Sequence, residues 1–210
     1  WMASLRTPDY VLREWENEYG FTGASGADFA NSVEAVCQRI NVNTDECANN
    51  ALNAALEAGC QALGYDLAVV PRNVKNCEDC GFCTFGCPFG AKQSTTKTYL
   101  QDAHDRGARI LVRANVERVL HRAGVAQGAD ITVMSADGEA IPVTIHAKMV
   151  IVAAGAVNTP ALLLRSGLSN GNIGANFHIH PTTVVSSIFD EPVMGWRGAP
   201  MTRYSRQVAN

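Results

Sequence analysis

The chain has 210 residues, 47% hydrophobic, 18% charged and 7% aromatic, with a formal net charge of −3. That balance describes a folded globular chain and sets aside disordered, fibrous and polyanion-binding classes, so no nucleic-acid partner is expected. The length suits one domain or two small ones with ample apolar content for a core, and no apolar run reaches the eighteen residues of a membrane span. Trp1-Met2 is not an initiator start, no signal-peptide pattern follows it, and residues 202–210 stop in polar sequence. Both ends are therefore expected to be internal to a longer protein.

Residues 1–65 read as helical, with helices over 10–19 and 27–40 and a third that Asn43 or Thr44 is placed to cap. In the third, Ala48, Ala51, Leu52, Ala55, Leu56, Cys60 and Leu63 recur at three- and four-residue steps, which predicts one buried apolar face. Residues 65–90 show no sustained period and carry Pro71, Pro88 and interspersed Gly and Cys, which predicts an irregular, tightly turned loop. A helix over 94–106 follows. Strands are predicted over 109–113, 116–122, 131–135 and 141–147, with Asp137-Gly138 as the hairpin turn between the last two.

Residues 149–156 form a continuous apolar run that reads as a buried strand meeting a glycine turn. Thr159 is placed to cap a helix with Pro160 in its first turn, running through Leu162, Leu163 and Leu164 to the terminator Ser166-Gly167. A strand, glycine turn and helix start puts free N–H groups and a helix dipole at one edge of a sheet, where α/β folds bind anionic cofactors. An ordinary connection with small residues for close packing reads the same way.

Seven cysteines occur, and four of them form Cys77-x2-Cys80-x2-Cys83-x3-Cys87 followed by Pro88. The spacing coincides with a bacterial ferredoxin run, in which short loops bring several thiolates to an iron–sulfur cluster. A structural zinc loop, a disulfide within the turn-rich segment and plain packing of small thiols fit it too. Cys37, Cys47 and Cys60 sit at unrelated spacing on apparent helix faces and read as core.

Five strings, in order, resemble the glucose-methanol-choline (GMC) family of flavoprotein oxidoreductases and, within it, the long-chain alcohol oxidases. They are Trp1-Met-Ala-Ser-Leu-Arg-Thr-Pro, Cys80-Gly-Phe-Cys-Thr-Phe-Gly-Cys-Pro-Phe-Gly-Ala-Lys-Gln-Ser-Thr, Tyr99-Leu-Gln-Asp-Ala, Gly155-Ala-Val-Asn-Thr-Pro-Ala-Leu-Leu-Leu-Arg-Ser-Gly-Leu and Asn172-Ile-Gly-Ala-Asn-Phe-His-Ile-His-Pro. The fourth is similar to the family's second signature and departs only at its end, where Ser169 stands in place of a glycine.

The resemblance implies an FAD enzyme that removes a hydride from a primary, long-chain alcohol, gives the aldehyde and passes electrons to oxygen or another acceptor. It implies an α/β fold: part of a Rossmann-like FAD-binding domain, an N-terminal helical segment and the start of a substrate-domain sheet. The expected division is a helical segment over 1–65, a Cys-rich loop over 66–93, part of the FAD domain over 94–175 and the start of the substrate domain over 176–210. The family's Gly-x-Gly-x-x-Gly turn and its catalytic histidine fall before Trp1 and after Asn210, so no catalytic residue is expected here, and the piece alone is expected neither to retain FAD nor to be active. By matched position Val116 would meet the adenine through its main chain. Ala153, Ala154 and Gly155 would let the backbone approach the cofactor, and Asn158 and Thr159 would open the following helix, by capping or by direct contact.

His178 and His180 match the exit segment, where a structural hydrogen bond is the expectation for His180. The resemblance implies a flavin and no iron–sulfur centre, leaving Cys77, Cys80, Cys83 and Cys87 as the alternative metal ligands. In the flavin reading those thiols are small buried hydrophobes, and Phe82, Phe85 and Phe89 are candidates to line an apolar tunnel or to form core. Unpaired cysteines in this number favour a reducing, cytoplasmic setting. A fatty-alcohol substrate would bring the complete enzyme to a membrane surface.

Overall fold

The computed structural model, which describes residues 2–207, forms the first two helices close to their predicted bounds and the later ones with shifted ends. In chain order the elements are α1 (Asp9–Asn17), α2 (Ala27–Arg39), β1 (Val42–Asn43), α3 (Ala51–Leu63), β2 (Ala68–Val69), β3 (Arg72–Asn73), a 3-10 turn (Thr95–Lys97), α4 (Tyr99–Asp105), β4 (Ala114–Arg122), β5 (Val125–Met134), β6 (Ala140–His146), α5 (Gly155–Arg165) and β7 (Arg203–Tyr204). This mixture of helix and strand agrees with the expected fold class. The chain divides into two compact units, one of residues up to Ala108 together with those from Ser187 onward, the other Arg109–Ser186.

In the first unit the irregular stretch forecast for residues 65–90 holds only two-residue strands. β3 pairs antiparallel with β1 and bridges to Ala3 on the N-terminal segment, while β2 pairs with β7. The third helix is capped by neither Asn43 nor Thr44. Asn50 holds that position, its side chain accepting from the Asn53 N–H at 2.9 Å. Its C-terminus is as glycine chemistry predicts: Gly64 at φ +67 lets its own N–H and that of Tyr65 reach the Gln61 and Cys60 carbonyls. The buried face of α3 differs from the forecast. Leu52, Leu56 and Leu63 are 53%, 45% and 67% exposed, and the buried positions are Asn53 and Cys60.

The reason lies in what α3 packs against. The Asn53 Oδ1 accepts from the Thr202 N–H at 3.0 Å, the Asn50 amide donates to Gly195 O at 3.0 Å, and the Thr202 hydroxyl donates to Asn49 at 3.1 Å. A helix face that docks on exposed peptide groups needs amides rather than leucines, because buried N–H and C=O groups must find partners. The predicted helix over 94–106 is likewise split at Thr98. That side chain is fully buried and donates to Ser94 O at 3.0 Å, and its backbone leaves the helical region at φ −119, ψ −98.

The second unit is a three-stranded antiparallel sheet in the order β4-β5-β6, with the Asp137-Gly138 turn closing its second hairpin as predicted. Val119, Ile131 and Leu162 form its buried apolar centre. The predicted strand over 109–113 is not formed; Arg113 turns the chain at φ +54, and only then does β4 begin. Residues 149–153 are also not a strand. They make no backbone hydrogen bond among the described residues, and Ile151 is 82% exposed. Apolar content specifies that a segment suits burial, but a strand exists only where a neighbouring edge accepts its N–H and C=O groups.

Candidate functional site

The residues expected to meet a cofactor lie in the second unit: Ala153 and Ala154 just before α5, Gly155, Asn158 and Thr159 in its first turns, and Val116 on β4. The helix begins at Gly155, five residues before the forecast start, so Pro160 sits within it and Ala156 loses the hydrogen bond that a residue-160 N–H would donate. Thr159 is therefore not the N-cap. Its hydroxyl nevertheless serves the same end of the helix, accepting from the Ala154 N–H at 3.0 Å. Ala154 holds the cap position and has no side chain that can bond the first turn. The following N–H groups are left for another acceptor, with the positive end of the helix dipole behind them.

Small residues keep that end open. Ala153, Ala154 and Gly155 are exposed, and Gly155 takes φ +83 with nothing within 4 Å of where a Cβ would stand. A side chain there would be strained by the backbone conformation, not by crowding. Beside the first turns of α5 lies a hollow of about 460 Å³, lined among others by Ala156, Thr159, Asn172, Gly174, Phe177 and His178. Asn158 is exposed and outside this lining.

Val116 stands apart from this group. It is half-buried in β4 opposite Ile131, and its carbonyl accepts from Arg165 at 3.4 Å, at the other end of α5. Ten residues at 1.5 Å rise separate Gly155 from Arg165, so Val116 and the Gly155 turn lie about 15 Å apart along the helix. Ser166 also ties helix to strand: its hydroxyl accepts from the Val119 N–H at 2.8 Å and donates to Leu162 O at 2.7 Å. Of the two histidines, His178 meets Asn176 O at 3.1 Å, whereas His180 is exposed and makes no side-chain hydrogen bond among the described residues. The expected structural bond is thus made by the other histidine.

The four spaced cysteines lie in the first unit, on the loop after β3. Residue reasoning missed their neighbour, Arg72, which is 0% exposed. Its Nη1 donates to Glu46 O at 2.9 Å, and its Nη2 donates to Cys83 Sγ at 3.6 Å and to Cys77 Sγ at 3.9 Å. The Nε is buried without a partner. A guanidinium thus occupies the place between thiols that a cation would need, and among the described residues no group of three or more His, Cys, Asp or Glu is arranged to hold a metal. Nothing here supports the iron–sulfur alternative. The available signal was an arginine set in Val69-Val-Pro-Arg-Asn-Val74, where the flanking valines mark a buried stretch.

Charge around the loop follows from burial and from Arg72. Burial pushes the Cys47 and Cys83 thiols up, with Arg72 opposing it. Burial acts upward on Cys87 too, but backbone N–H groups of Lys92, Ala91, Phe89 and Gly90 outweigh it and hold that thiol below its ordinary value. Desolvation would lower the pKa of Arg72; the sulfurs of Cys77 and Cys83 and of Cys47 raise it above the ordinary value. Phe82, Phe85 and Phe89 are all exposed and form no core.

Residues 1–182 match the model of the GMC oxidoreductase family. The chain is 33% identical over 209 residues to the long-chain-alcohol oxidase FAO1 of Arabidopsis thaliana, covering 95% of this chain and 28% of that protein. It is 35% identical over 194 residues to the Arabidopsis long-chain-alcohol oxidase FAO4A, covering 91% and 26%. An uncharacterized GMC-type oxidoreductase of Mycobacterium tuberculosis is 37% identical over 190 residues, covering 90% and 30%. The chain belongs to the GMC oxidoreductases, a family of FAD-dependent enzymes. It spans less than a third of the length of these relatives.

Proposed function

We propose that this chain is the part of an FAD-dependent alcohol oxidoreductase that holds the cofactor, and that the whole protein oxidises a primary, long-chain alcohol to the aldehyde with oxygen or another acceptor. The observation that carries the reading is the open N-terminal end of α5, which lies within the stretch matched by the family model. Similarity to proteins named long-chain-alcohol oxidases supports the substrate class.

The residues fit an extended anionic cofactor. The uncapped N–H groups of α5 suit a negatively charged group, and Ala153, Ala154 and Gly155 leave room for it to approach the backbone. Thr159 keeps the Ala154 N–H satisfied and so holds the turn in shape, and Asn158 stands exposed one turn into the helix. Val116, about 15 Å away along α5, offers main-chain groups for an adenine edge. FAD, when bound, supplies the hydride acceptor for the alcohol carbon. The general base that takes the alcohol proton is assigned to a part of the protein outside these residues.

The seven cysteines, all unpaired, favour a cytoplasmic setting for the reading, and no helix among the described residues is long and apolar enough to cross a membrane. Association of the full enzyme with a membrane surface would come from the apolar substrate. The test is the visible spectrum of the full-length protein purified without oxygen, with a metal assay on the same sample. Two flavin bands that bleach on adding a long-chain alcohol are expected. A protein that carries no flavin, or whose flavin stays oxidised with every primary alcohol, overturns the reading.

A further inference from the structure

We propose that Cys77 and Cys83 form a redox-active thiol pair, oxidised by hydrogen peroxide to a disulfide, with Arg72 holding both sulfurs ready for the step. The inference rests on the side chains of the first unit and is independent of the flavin reading.

The starting observation is a fully buried arginine without a carboxylate bonded to it. A guanidinium stays protonated in any protein environment, so its charge must be met where it sits. Glu46 does not meet it with its carboxylate, which is engaged by the Cys77 N–H at 2.5 Å; only the Glu46 backbone carbonyl reaches Arg72. Asp79 faces the Cys77 sulfur at 3.8 Å rather than the guanidinium. The remaining partners of Arg72 are two sulfurs, Cys77 met by both Nη atoms and Cys83 by Nη2, and its Nε is left with none. The thiolate is the form that reacts with peroxides, and a guanidinium that donates to both sulfurs is placed to stabilise the charge when it forms, against the burial that pushes Cys83 up.

Exposure separates the two roles. All four cysteines of the loop line one small hollow, in which Cys77 is half-buried and Cys83 is buried. Cys77 is therefore the attacking thiol and Cys83 the resolving one. In the first step the Cys77 thiolate attacks one peroxide oxygen; an S–O bond forms, the O–O bond breaks, and the departing hydroxide takes a proton to become water. The product is a Cys77 sulfenic acid. In the second, the Cys83 sulfur attacks the Cys77 sulfur; the S–S bond forms, the S–O bond breaks, and a second water leaves with the Cys83 proton. Two thiols are oxidised by two electrons, and one peroxide is reduced to two waters. Arg72 touches both sulfurs and is the donor positioned to steady the charge on each in turn. Cys47 takes no part, since its sulfur is buried against Val70 O at 3.4 Å.

The test uses the full-length protein treated with stepwise hydrogen peroxide, alkylated without reduction, and cleaved after Glu78, which separates Cys77 from Cys83. The expected result is loss of two alkylatable thiols, a crosslink joining the fragment that ends at Glu78 to the one that follows it, assigned to Cys77 and Cys83, and full recovery with a dithiol reductant. The Cys83→Ser variant is expected to accumulate sulfenic acid on Cys77, captured by a dimedone-type probe, without the crosslink. Arg72→Lys is expected to slow the oxidation at least tenfold. If that variant does not fold, the crosslink map of the unaltered protein decides alone. Cys77 and Cys83 remaining alkylatable while Cys80 or Cys87 oxidises overturns the proposal, as does oxidation of Arg72→Lys at the unaltered rate.

Discussion

Gly128 shows how a single position can be specified by its neighbours. It lies inside β5 at φ +146, and a Cβ built on it would stand 1.9 Å from the carbonyl oxygen of Ile145 on β6. A backbone atom held in a ladder cannot step aside as a flexible side chain would. Gly128→Ala is therefore expected to destabilise the fold by about 3 kcal/mol or more, through backbone strain together with the clash. The check is a denaturant melt of the variant against the parent; a loss of less than about 1 kcal/mol would mean that the hairpin register shifts to absorb the methyl. Arg72 and Asn53 are the polar counterparts of Gly128. Each is buried because it satisfies groups far away in sequence, and neither residue type announces burial by itself.

At the scale of elements, α5 is held to β4 by a seam of few bonds. Ser166 is the C-cap of α5 and also takes the Val119 N–H, so one hydroxyl closes a helix and docks it on a sheet. Gly167 at φ +76 then lets its own N–H and that of Leu168 return to the Leu164 and Leu163 carbonyls, a glycine-ended helix read correctly from Ser166-Gly167. Removing the hydroxyl leaves the Val119 N–H without its acceptor. Ser166→Ala is expected to lower stability by about 1–2 kcal/mol, and to speed amide exchange at Val119 more than elsewhere in β4. Hydrogen exchange on the variant measures this directly, and unchanged protection at Val119 would show that the helix is docked by apolar packing instead.

Apart from Arg72, the charged side chains of the described residues are not buried, and their pairing predicts the response to acid. The Arg39 guanidinium, bonded to Asp102 at 2.7 and 2.5 Å, holds that carboxylate below its usual range; Glu34 beside Arg6, and Asp130 beside Thr144 and Arg118, are held down likewise. A carboxylate with a depressed folded pKa contributes stability that is fully present above its ordinary value, near 4, and is lost as pH falls through the lower folded value. The melting temperature is thus expected to be flat from pH 7 to about 5 and to fall below pH 4. Asp102→Asn should shallow that fall while lowering the plateau. A melting temperature that rises on acidification would contradict the assignment. These pairs are solvent-screened, so each contributes little alone.

Much of this molecule was legible before any coordinate. Helix periods located α1, α2 and α3, alternation located β4, β6 and the end of β5 but not its residues 125–130, and Gly138 and Gly167 marked a turn and a helix end, because each signal involves neighbours in sequence. The ordered family strings identified the GMC oxidoreductases, since a motif is local by nature. What lay beyond reach were the choices made between distant residues. Asn50 rather than Asn43 or Thr44 caps α3, Asn53 displaces three leucines from its buried face, and α5 begins at Gly155 rather than beyond Thr159. The apolar run at 149–153 has strand composition yet no strand, for want of a paired edge. The cysteine spacing was visible at once, while the guanidinium between the thiols was not. Sequence determined which segments curl and which extend, as short-range sterics and turn chemistry dictate; only the tertiary structure decided which polar groups are buried together, because that depends on partners as distant as Asn53 and Thr202, 149 residues apart.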